Sequence, residues 1–149
     1  MSGTVITFGT FDLFHVGHLN ILKRASSFGD KLVVGVSSDL LNVQKKNRAA
    51  VFSQDERIAI VSALRFVDEV FLEQSLEEKQ NYITSFGART LVMGDDWIGK
   101  FDFLREFCNV VYLPRTPAIS TTATVEAIIK YSSKHKLKNF VATNESRRC

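Results

Sequence analysis

Two histidines stand three residues apart, where an apolar run typical of a strand gives way to a helical pattern: His15 and His18. The start of a helix offers unpaired main-chain N–H groups and the positive end of the helix dipole, and both suit a phosphate. Imidazoles held there can contact triphosphate oxygens and stabilise the charge that builds up when phosphorus is attacked. Gly17, between them, allows a close approach to the main chain. Because two of the chain's three histidines share this loop, we favour a chemical role over incidental helix capping.

A zinc site is the alternative interpretation of the histidine pair. A structural zinc site takes four protein ligands and a catalytic one takes three. The third histidine, His135, lies far along the chain, and neither Cys108 nor Cys149 has a second Cys or a His at ligand spacing. Zinc is therefore not expected. Two cysteines are also too few for a disulfide scaffold, which favours a reducing, cytoplasmic compartment.

Two further loops place polar residues after predicted strands. The segment 93–100 contains Asp95 and Trp97 between glycines, a composition that suits a base, a polyol or a metal ion, or else a tight turn with an Asp cap. Arg115 precedes the hydroxyl cluster Ser120–Thr122, and a guanidinium can bind phosphate through two parallel hydrogen bonds. The alternative there is helix capping beside a surface arginine.

The basic stretch Asn42–Arg48 follows the second predicted strand. Such stretches are usually solvated loops. At this edge of a sheet it is also a candidate mobile loop that carries Lys45 and Lys46 over a triphosphate. Three loops suited to anions and this basic stretch converge on one edge, so the sequence predicts phosphoryl-type chemistry.

These loops are positioned by short apolar, β-rich runs that alternate with helix-length segments. Runs that are apolar almost throughout are typical of strands covered on both faces. Strands are predicted at Thr4–Phe8, Leu32–Ser37, Glu69–Leu72, Thr90–Met93 and Val110–Leu113. Helices are predicted at His18–Ser27, Ser53–Leu64, Ser75–Phe86, Phe101–Phe107 and Thr122–Tyr131. The alternation predicts an α/β fold: a Rossmann-like, doubly wound, five-stranded parallel sheet with helices on both faces.

Length and composition indicate one globular domain. The chain has 149 residues, of which 45% are hydrophobic and 23% charged, so it can build a core and is not expected to be disordered. We assign residues 1–131 to the domain and 132–149 to a basic C-terminal extension. Because 16 acidic residues nearly balance 19 basic ones, no nucleic-acid partner is expected. No apolar run is long enough to span a bilayer, so no membrane partner is expected either.

Five segments together resemble a known family. Gly9–Asp12 (GTFD) and His15–His18 (HVGH) resemble the HxGH signature of a nucleotidyltransferase superfamily. Arg115–Thr122 resembles the RTxxISTT signature of its cytidylyltransferase branch, and Arg65–Val70 is similar to that branch's RYVDEV segment. Met93–Leu104 is similar to the corresponding segment of bacterial glycerol-3-phosphate cytidylyltransferases. The segments occur in order and with matching spacing over roughly residues 4 to 130.

The resemblance implies a reaction. CMP would pass from CTP to sn-glycerol 3-phosphate, giving CDP-glycerol and pyrophosphate, assisted by Mg²⁺. The acceptor phosphate would attack the α-phosphorus in line, without a covalent intermediate, so that the enzyme contributes positioning and electrostatics. The resemblance also implies a homodimer. The sequence leaves open whether the product feeds teichoic acid, a capsule or another glycan.

Site residues follow from the same resemblance, motif by motif. The catalytic group would be His15, His18, Lys45, Arg115 and Ser120. The nucleotide would be bound by Thr10, Phe11, Asp12, Gly17, Lys46, Asp95, Thr116 and Thr121. The acceptor would be bound by Arg57, Arg65, Asp68 and Trp97. Asp12 and Asp95 are the candidates to support Mg²⁺.

The chain departs from the family pattern in three places, one of which is the tail beyond Lys130, for which the family pattern offers no counterpart. Ala118 stands where the family usually has glycine, and if that position needs a positive φ the alanine costs of order 1 kcal/mol. The basic segment is one residue longer than expected, so either Lys46 or Arg48 fills its second position. The alternatives are another phosphorylated alcohol such as phosphocholine, another nucleotide as in FAD-synthase-like relatives, and a non-catalytic nucleotide-binding module.

Overall fold

Five parallel strands form a single sheet in the computed structural model, which describes residues 2–135. Their bounds are β1 Thr4–Gly9, β2 Lys31–Ser37, β3 Glu69–Glu73, β4 Ala88–Gly94 and β5 Asn109–Leu113. Each observed strand contains the predicted one. The α/β fold with a five-stranded parallel sheet is therefore confirmed.

The strand order is β3-β2-β1-β4-β5, with every neighbouring pair parallel. The chain winds outward from β1 in one direction through β2 and β3, and then resumes on the other side of β1 with β4 and β5. In open sheets of this kind, ligands bind outside the carboxyl ends of the strands where the winding direction reverses. That point lies between the ends of β1 and β4.

Within the described residues, five helices cover the sheet or flank it. They are α1 Val16–Ser26, α2 Asp39–Lys46, α3 Gln54–Ser62, α4 Lys79–Ser85 and α5 Thr121–His135. Two short 3₁₀ helices, Asp95–Trp97 and Asp102–Glu106, lie between β4 and β5. The second replaces the helix predicted at Phe101–Phe107.

Alternation along the strands builds two apolar clusters, one on each face of the sheet. Val5 and Val92 point to one face and pack in the same cluster as Leu22 of α1. Ile6 and Leu91 point to the other face and pack in the same cluster as Ile83 of α4. Helices therefore cover both faces, as the continuous apolar runs predicted.

Two predicted helices begin with a capping-box pattern in the sequence, Ser53 followed by Glu56 and Ser75 followed by Glu78, and the two patterns have different outcomes. Ser53 and Glu56 cap α3 reciprocally, which confirms the first. The second is wrong, because Ser75 accepts the N–H of Glu77 in a local turn. Helix α4 then begins at Lys79 without a side-chain cap.

The basic stretch Asn42–Arg48 was expected to be a loop, and that expectation is wrong for most of it. Helix α2 runs through Lys46, because the Ser38 hydroxyl caps it by accepting the N–H of Leu41 at 3.0 Å. The helix ends at Asn47, which takes the left-handed conformation with φ 56°. The two lysines of this stretch are thus presented by a helical turn.

At the C-terminal end, α5 continues to His135 and so crosses the domain boundary that the sequence placed after residue 131. The rest of the predicted basic extension lies outside the described residues. Within residues 2–135, no helix is both long and apolar enough to cross a membrane.

Candidate active site

A cavity of about 300 Å³ opens at the carboxyl ends of β1 and β4, where the winding direction reverses. Most of the residues predicted to act on substrate line it. They are His15, His18, Lys45, Arg115, Ser120, Thr10, Phe11, Asp12, Gly17, Lys46, Thr116, Thr121 and Trp97. The roles assigned to them stay predictions, but the fold does bring these residues to one place.

Three predicted residues lie elsewhere. Arg65 and Asp68 come just before β3, at the amino end of the sheet, and Asp68 there accepts the N–H of Leu32 at 2.7 Å. Neither lines the cavity, so the structure does not place them as direct acceptor contacts. Asp95 is exposed and also outside the lining, whereas its neighbour Asp96 lies within it.

Arg57, the fourth exception, is completely buried. Its guanidinium donates to the carbonyl oxygens of Thr10, Ser37 and Phe52 and forms an ion pair with Asp39 at 2.7 Å. With its donors used in this way, it cannot reach an acceptor in the cavity. The structure corrects the predicted acceptor contact: Arg57 ties the ends of β1 and β2 to the segment before α3.

The two histidines cap α1 and stack on each other. The Nδ1 atom of His15 accepts the N–H groups of Gly17 at 3.0 Å and of His18 at 3.4 Å. The Nδ1 atom of His18 accepts the N–H of His15 at 3.3 Å. The ring centroids lie 3.8 Å apart at 16°. A Cβ at Gly17 would lie 2.8 Å from the His15 ring, so the glycine makes room for the histidine.

This capping also fixes the protonation of both rings. An Nδ1 atom that accepts a main-chain N–H carries no proton, so in the neutral ring the proton is on Nε2. Burial chiefly, together with the His15 and Lys46 charges and against the effect of Asp12, lowers the pKa of His18 to about 3. Burial lowers the pKa of His15 as well. At neutral pH the cavity therefore holds two neutral imidazoles, each with an Nε2–H free to donate.

Asp12 anchors the histidine loop to two other segments. Its carboxylate accepts the N–H groups of Leu13, Val51 and Phe52, the last two at 2.7 and 2.9 Å. Its carbonyl oxygen accepts the hydroxyl of Thr121 at 3.0 Å. These bonds offset a strained main chain, because the flanking residues Phe11 and Leu13 have φ values of 55° and 49°.

The loop before α5 reaches the same cavity. The Ser120 hydroxyl oxygen accepts the N–H of Ala123 at 3.0 Å, which caps the helix and leaves the Ser120 hydroxyl proton free to donate. Ala118 has φ 61°. This is the left-handed conformation that would explain a glycine at this position, and the alanine adopts it in spite of its Cβ.

Helix α1 and the β4 loop hold the segment around Arg115. Asn20 donates to the Thr116 hydroxyl at 3.2 Å, and Arg24 donates to the carbonyl oxygen of Pro114 at 3.0 Å. Arg115 itself is exposed and paired with Asp96 at 2.5 Å. An exposed pair of this kind is weak, so an anionic ligand can compete for the guanidinium.

Lys45 and Lys46 reach the cavity from α2. The Lys45 ammonium donates to the Ser37 hydroxyl at 2.8 Å. Burial is the main cause that lowers the pKa of Lys45 to about 8. The pKa of Lys46 is also lowered, mainly by burial and next by the charge of Arg48. Arg48 also lines the cavity, so neither candidate for the second basic position is eliminated.

Sequence reasoning missed a buried ion pair at the cavity wall. Glu73 and Lys79 are in close contact, both almost completely buried, and both line the cavity. It also missed the buried Asn42, whose side-chain oxygen accepts the Thr10 hydroxyl at 2.8 Å. The available signal was a charged residue at the end of an apolar strand, since Glu73 directly follows the predicted third strand.

A magnesium ion fits this site only with help from substrate oxygens. In residues 2–135 no three side chains of the His, Cys, Asp and Glu types cluster closely enough to hold a metal. The Asp12 carboxylate already accepts three N–H groups, and Asp95 is not among the residues that line the cavity. Mg²⁺ commonly binds one or two carboxylates together with substrate phosphates and water. The donor set thus suits a metal that arrives on a nucleotide.

Comparison with known proteins agrees with this geometry. A family model described as cytidylyltransferase-like matches residues 6–135. The chain is 51% identical to a glycerol-3-phosphate cytidylyltransferase of Bacillus subtilis (strain 168), over 83% of this chain and 95% of that protein. It is 42% identical to one from Staphylococcus aureus (strain NCTC 8325 / PS 47), over 79% of this chain and 89% of that protein.

The fold also occurs in solved structures of low sequence identity. A lipopolysaccharide core biosynthesis protein from Thermoplasma volcanium GSS1 superposes with a TM-score of 0.65 at 23% identity. The match covers 78% of this chain and 99% of that one. At this identity the likeness shows the fold alone.

Proposed function

Because the chain belongs to the cytidylyltransferase-like family, we propose that it transfers CMP from CTP to glycerol 3-phosphate, giving CDP-glycerol and pyrophosphate. One observation carries the proposal. Two neutral, mutually capped histidines share a single cavity with Lys45, Lys46 and Arg115. That set of donors suits a triphosphate and the charge that develops on it, and the proteins of highest similarity named above are nucleotidyltransferases of this kind.

The triphosphate binds along the starts of two helices. The start of α1 carries the two Nε2–H donors, and the start of α5 carries the Ser120 hydroxyl. Arg115 exchanges its exposed contact with Asp96 for a phosphate, with which it can form two parallel hydrogen bonds. These groups fix the α-phosphorus with its leaving pyrophosphate directed away from the acceptor.

The transfer itself is a direct displacement. An oxygen of the acceptor phosphate forms a bond to the α-phosphorus while the bond from that phosphorus to the bridging oxygen of pyrophosphate breaks. Negative charge grows on the non-bridging oxygens and on the leaving group, where fixed N–H donors and ammonium groups stabilise it. No side chain is needed as a nucleophile, and the neutral histidines act as hydrogen-bond donors.

Magnesium belongs to the proposal as the ion that accompanies CTP. It would neutralise part of the triphosphate charge, with Asp12 as the only predicted carboxylate that borders the cavity. A homodimer and a cytoplasmic location are also proposed. The homodimer rests on the sequence resemblance, and the location rests on the scarcity of cysteines. Supply of CDP-glycerol to teichoic acid or a capsule is a matching role.

A substrate panel tests the proposed function. Purified protein is incubated with Mg²⁺ and glycerol 3-phosphate, with each of CTP, ATP, UTP and GTP in turn, and pyrophosphate release is followed. Release with CTP that depends on glycerol 3-phosphate is the expected result. Release only with phosphocholine, another polyol phosphate or another nucleotide would retain the chemistry but overturn the proposed substrates. No release from folded protein across the panel would favour a nucleotide-binding module.

A further inference from the structure

The Glu73–Lys79 pair has no part in the reaction as described above, yet it borders the same cavity. Glu73 is the last residue of β3, and Lys79 is the first residue of α4. One oxygen of the Glu73 carboxylate accepts the Lys79 ammonium. The other accepts the Ser37 hydroxyl at 3.3 Å, and that hydroxyl in turn accepts the Lys45 ammonium at 2.8 Å. A directed chain of hydrogen bonds therefore joins Lys45 to a buried carboxylate.

The stability of the fold does not account for this pair. Two charges removed from water cost several kcal/mol each, and well-packed apolar replacements for buried ion pairs are often neutral or stabilising. The surroundings would suit such replacements, because the Lys79 ammonium lies 3.9 Å from the centroid of the Phe8 ring. A function for the charges at the cavity is the more economical explanation.

The charged groups around Lys45 indicate that this function concerns the Lys45 ammonium. Cations face it from three helices, Lys46 on α2, Arg57 on α3 and Lys79 on α4, and burial itself favours the uncharged amine. Glu73 on β3 is the carboxylate that opposes them, and its effect on Lys45 exceeds that of Lys79. Lys79 is the direct ion-pair partner of that buried carboxylate.

We propose that Glu73 is a positioning residue for the transfer, which holds the Lys45 ammonium in place through Ser37 and keeps it charged at neutral pH. Glu73 does not need to touch substrate. The inference rests on the proposed function, because it gives Lys45 its role in that reaction. It adds a buried counter-charge in the cavity wall to the donors that contact substrate.

Two variants separate this role from a structural one. Glu73→Gln with Lys79→Met removes both charges and leaves no unpaired ion in the core. Ser37→Ala removes only the bridging hydroxyl. Thr90→Val is the matched control, because Thr90 is also a buried strand hydroxyl but lies outside the cavity lining. Urea unfolding establishes that each variant is folded.

Two readouts are taken from each folded protein. The first is the pH dependence of kcat/KM with CTP and glycerol 3-phosphate. The second is the pKa of Lys45 from the NMR shift of its side-chain Cε, assigned by its loss in Lys45→Met. The second readout does not depend on turnover, so failure of the proposed function cannot be mistaken for failure of this inference.

For the charge-free double variant, we expect a Lys45 pKa below the wild-type value and an alkaline limb of kcat/KM that moves with it. The loss in kcat/KM should be about tenfold at pH 7.5 and should shrink as the pH falls towards 6, where Lys45 is protonated again. Ser37→Ala should lose activity at every pH with unchanged KM for CTP. A double variant whose Lys45 pKa matches the wild type, or whose ratio to wild type is constant with pH, would overturn the proposal.

Discussion

His15 and His18 each accept the other's main-chain N–H through Nδ1, at 3.4 Å for the His15 acceptor and 3.3 Å for the His18 acceptor. The helix start thus takes its caps from the same two rings that face the cavity. This arrangement sets the tautomer of both imidazoles before any ligand arrives, with Nε2–H as the outward donor. Structure and chemistry at this point depend on the same atoms.

The double role of His18 can be separated by two substitutions. In His18→Gln the amide oxygen can still reach back to the His15 N–H, as glutamine does in a capping box, whereas His18→Ala has no acceptor. We expect both variants to lose about 10²–10³ in kcat, because each lacks the imidazole donor. Only His18→Ala should also lose about 1 kcal/mol of unfolding free energy. Steady-state kinetics and urea unfolding measure the two effects, and turnover near wild type in either variant would contradict the assigned role.

Stability should depend on pH through His18. Its pKa in the folded protein is about 3, below the ordinary value of 6.5, so the unfolded chain binds more protons between those values. The stabilisation is fully present above pH 6.5 and is lost as the pH falls towards 3. His18→Gln does not titrate, so its unfolding free energy should fall less between pH 7.5 and pH 5 than that of the wild type. If urea unfolding shows that the unfolding free energy of the wild type and of His18→Gln falls by the same amount between the two pH values, His18 does not cause the pH dependence.

Ala118→Gly should stabilise the protein. The φ of 61° is unfavourable for alanine and costs glycine little, so we expect a gain of roughly 0.5–1 kcal/mol in unfolding free energy. Ala123→Gly is the matched control in the adjoining helix α5, where the same exchange should cost about 1 kcal/mol. A gain in unfolding free energy at position 118 and a loss at position 123 would together indicate that residue 118 has the left-handed conformation. A destabilised Ala118→Gly variant in urea unfolding would argue against that conformation.

Arg57→Met should destabilise the fold and reduce activity only through that loss. The change leaves the carbonyl oxygens of Thr10, Ser37 and Phe52 without their buried donor, at an expected cost of about 3 kcal/mol. Arg65→Met removes an exposed arginine and should change unfolding free energy by less than about 0.5 kcal/mol. Urea titrations compare them. A fully stable Arg57→Met variant with a raised KM for glycerol 3-phosphate would contradict the structural role and support the predicted contact between Arg57 and the acceptor.

The fold and the histidine loop were accessible from sequence because their signals are local. Apolar runs predicted every strand, and the paired histidines lie in the loop directly after the first strand. The motif resemblance marked Ala118 as a departure from the usual glycine that would matter if the position needs a positive φ, and its φ is 61°.

Other features depend on contacts between distant segments, which no local pattern reports. In the sequence, Arg57 is an arginine in a helical pattern, where arginines usually face solvent. Its burial results from contacts with the ends of β1 and β2, which lie far from it in the sequence. The basic stretch has too few apolar residues to indicate a helix, yet the Ser38 cap and the burial of Leu41 form one. Glu73 and Lys79 are buried as an ion pair across a turn, and a charged residue taken alone in the sequence is expected at the surface.

The most direct test of the account is the identity of the product. Protein, CTP, glycerol 3-phosphate and Mg²⁺ are combined, and the reaction is followed by phosphorus NMR. We expect the paired resonances of a pyrophosphate diester, CDP-glycerol, to appear together with one pyrophosphate per CTP consumed. Release of CMP with pyrophosphate and no diester, or unchanged CTP with folded protein, would contradict it.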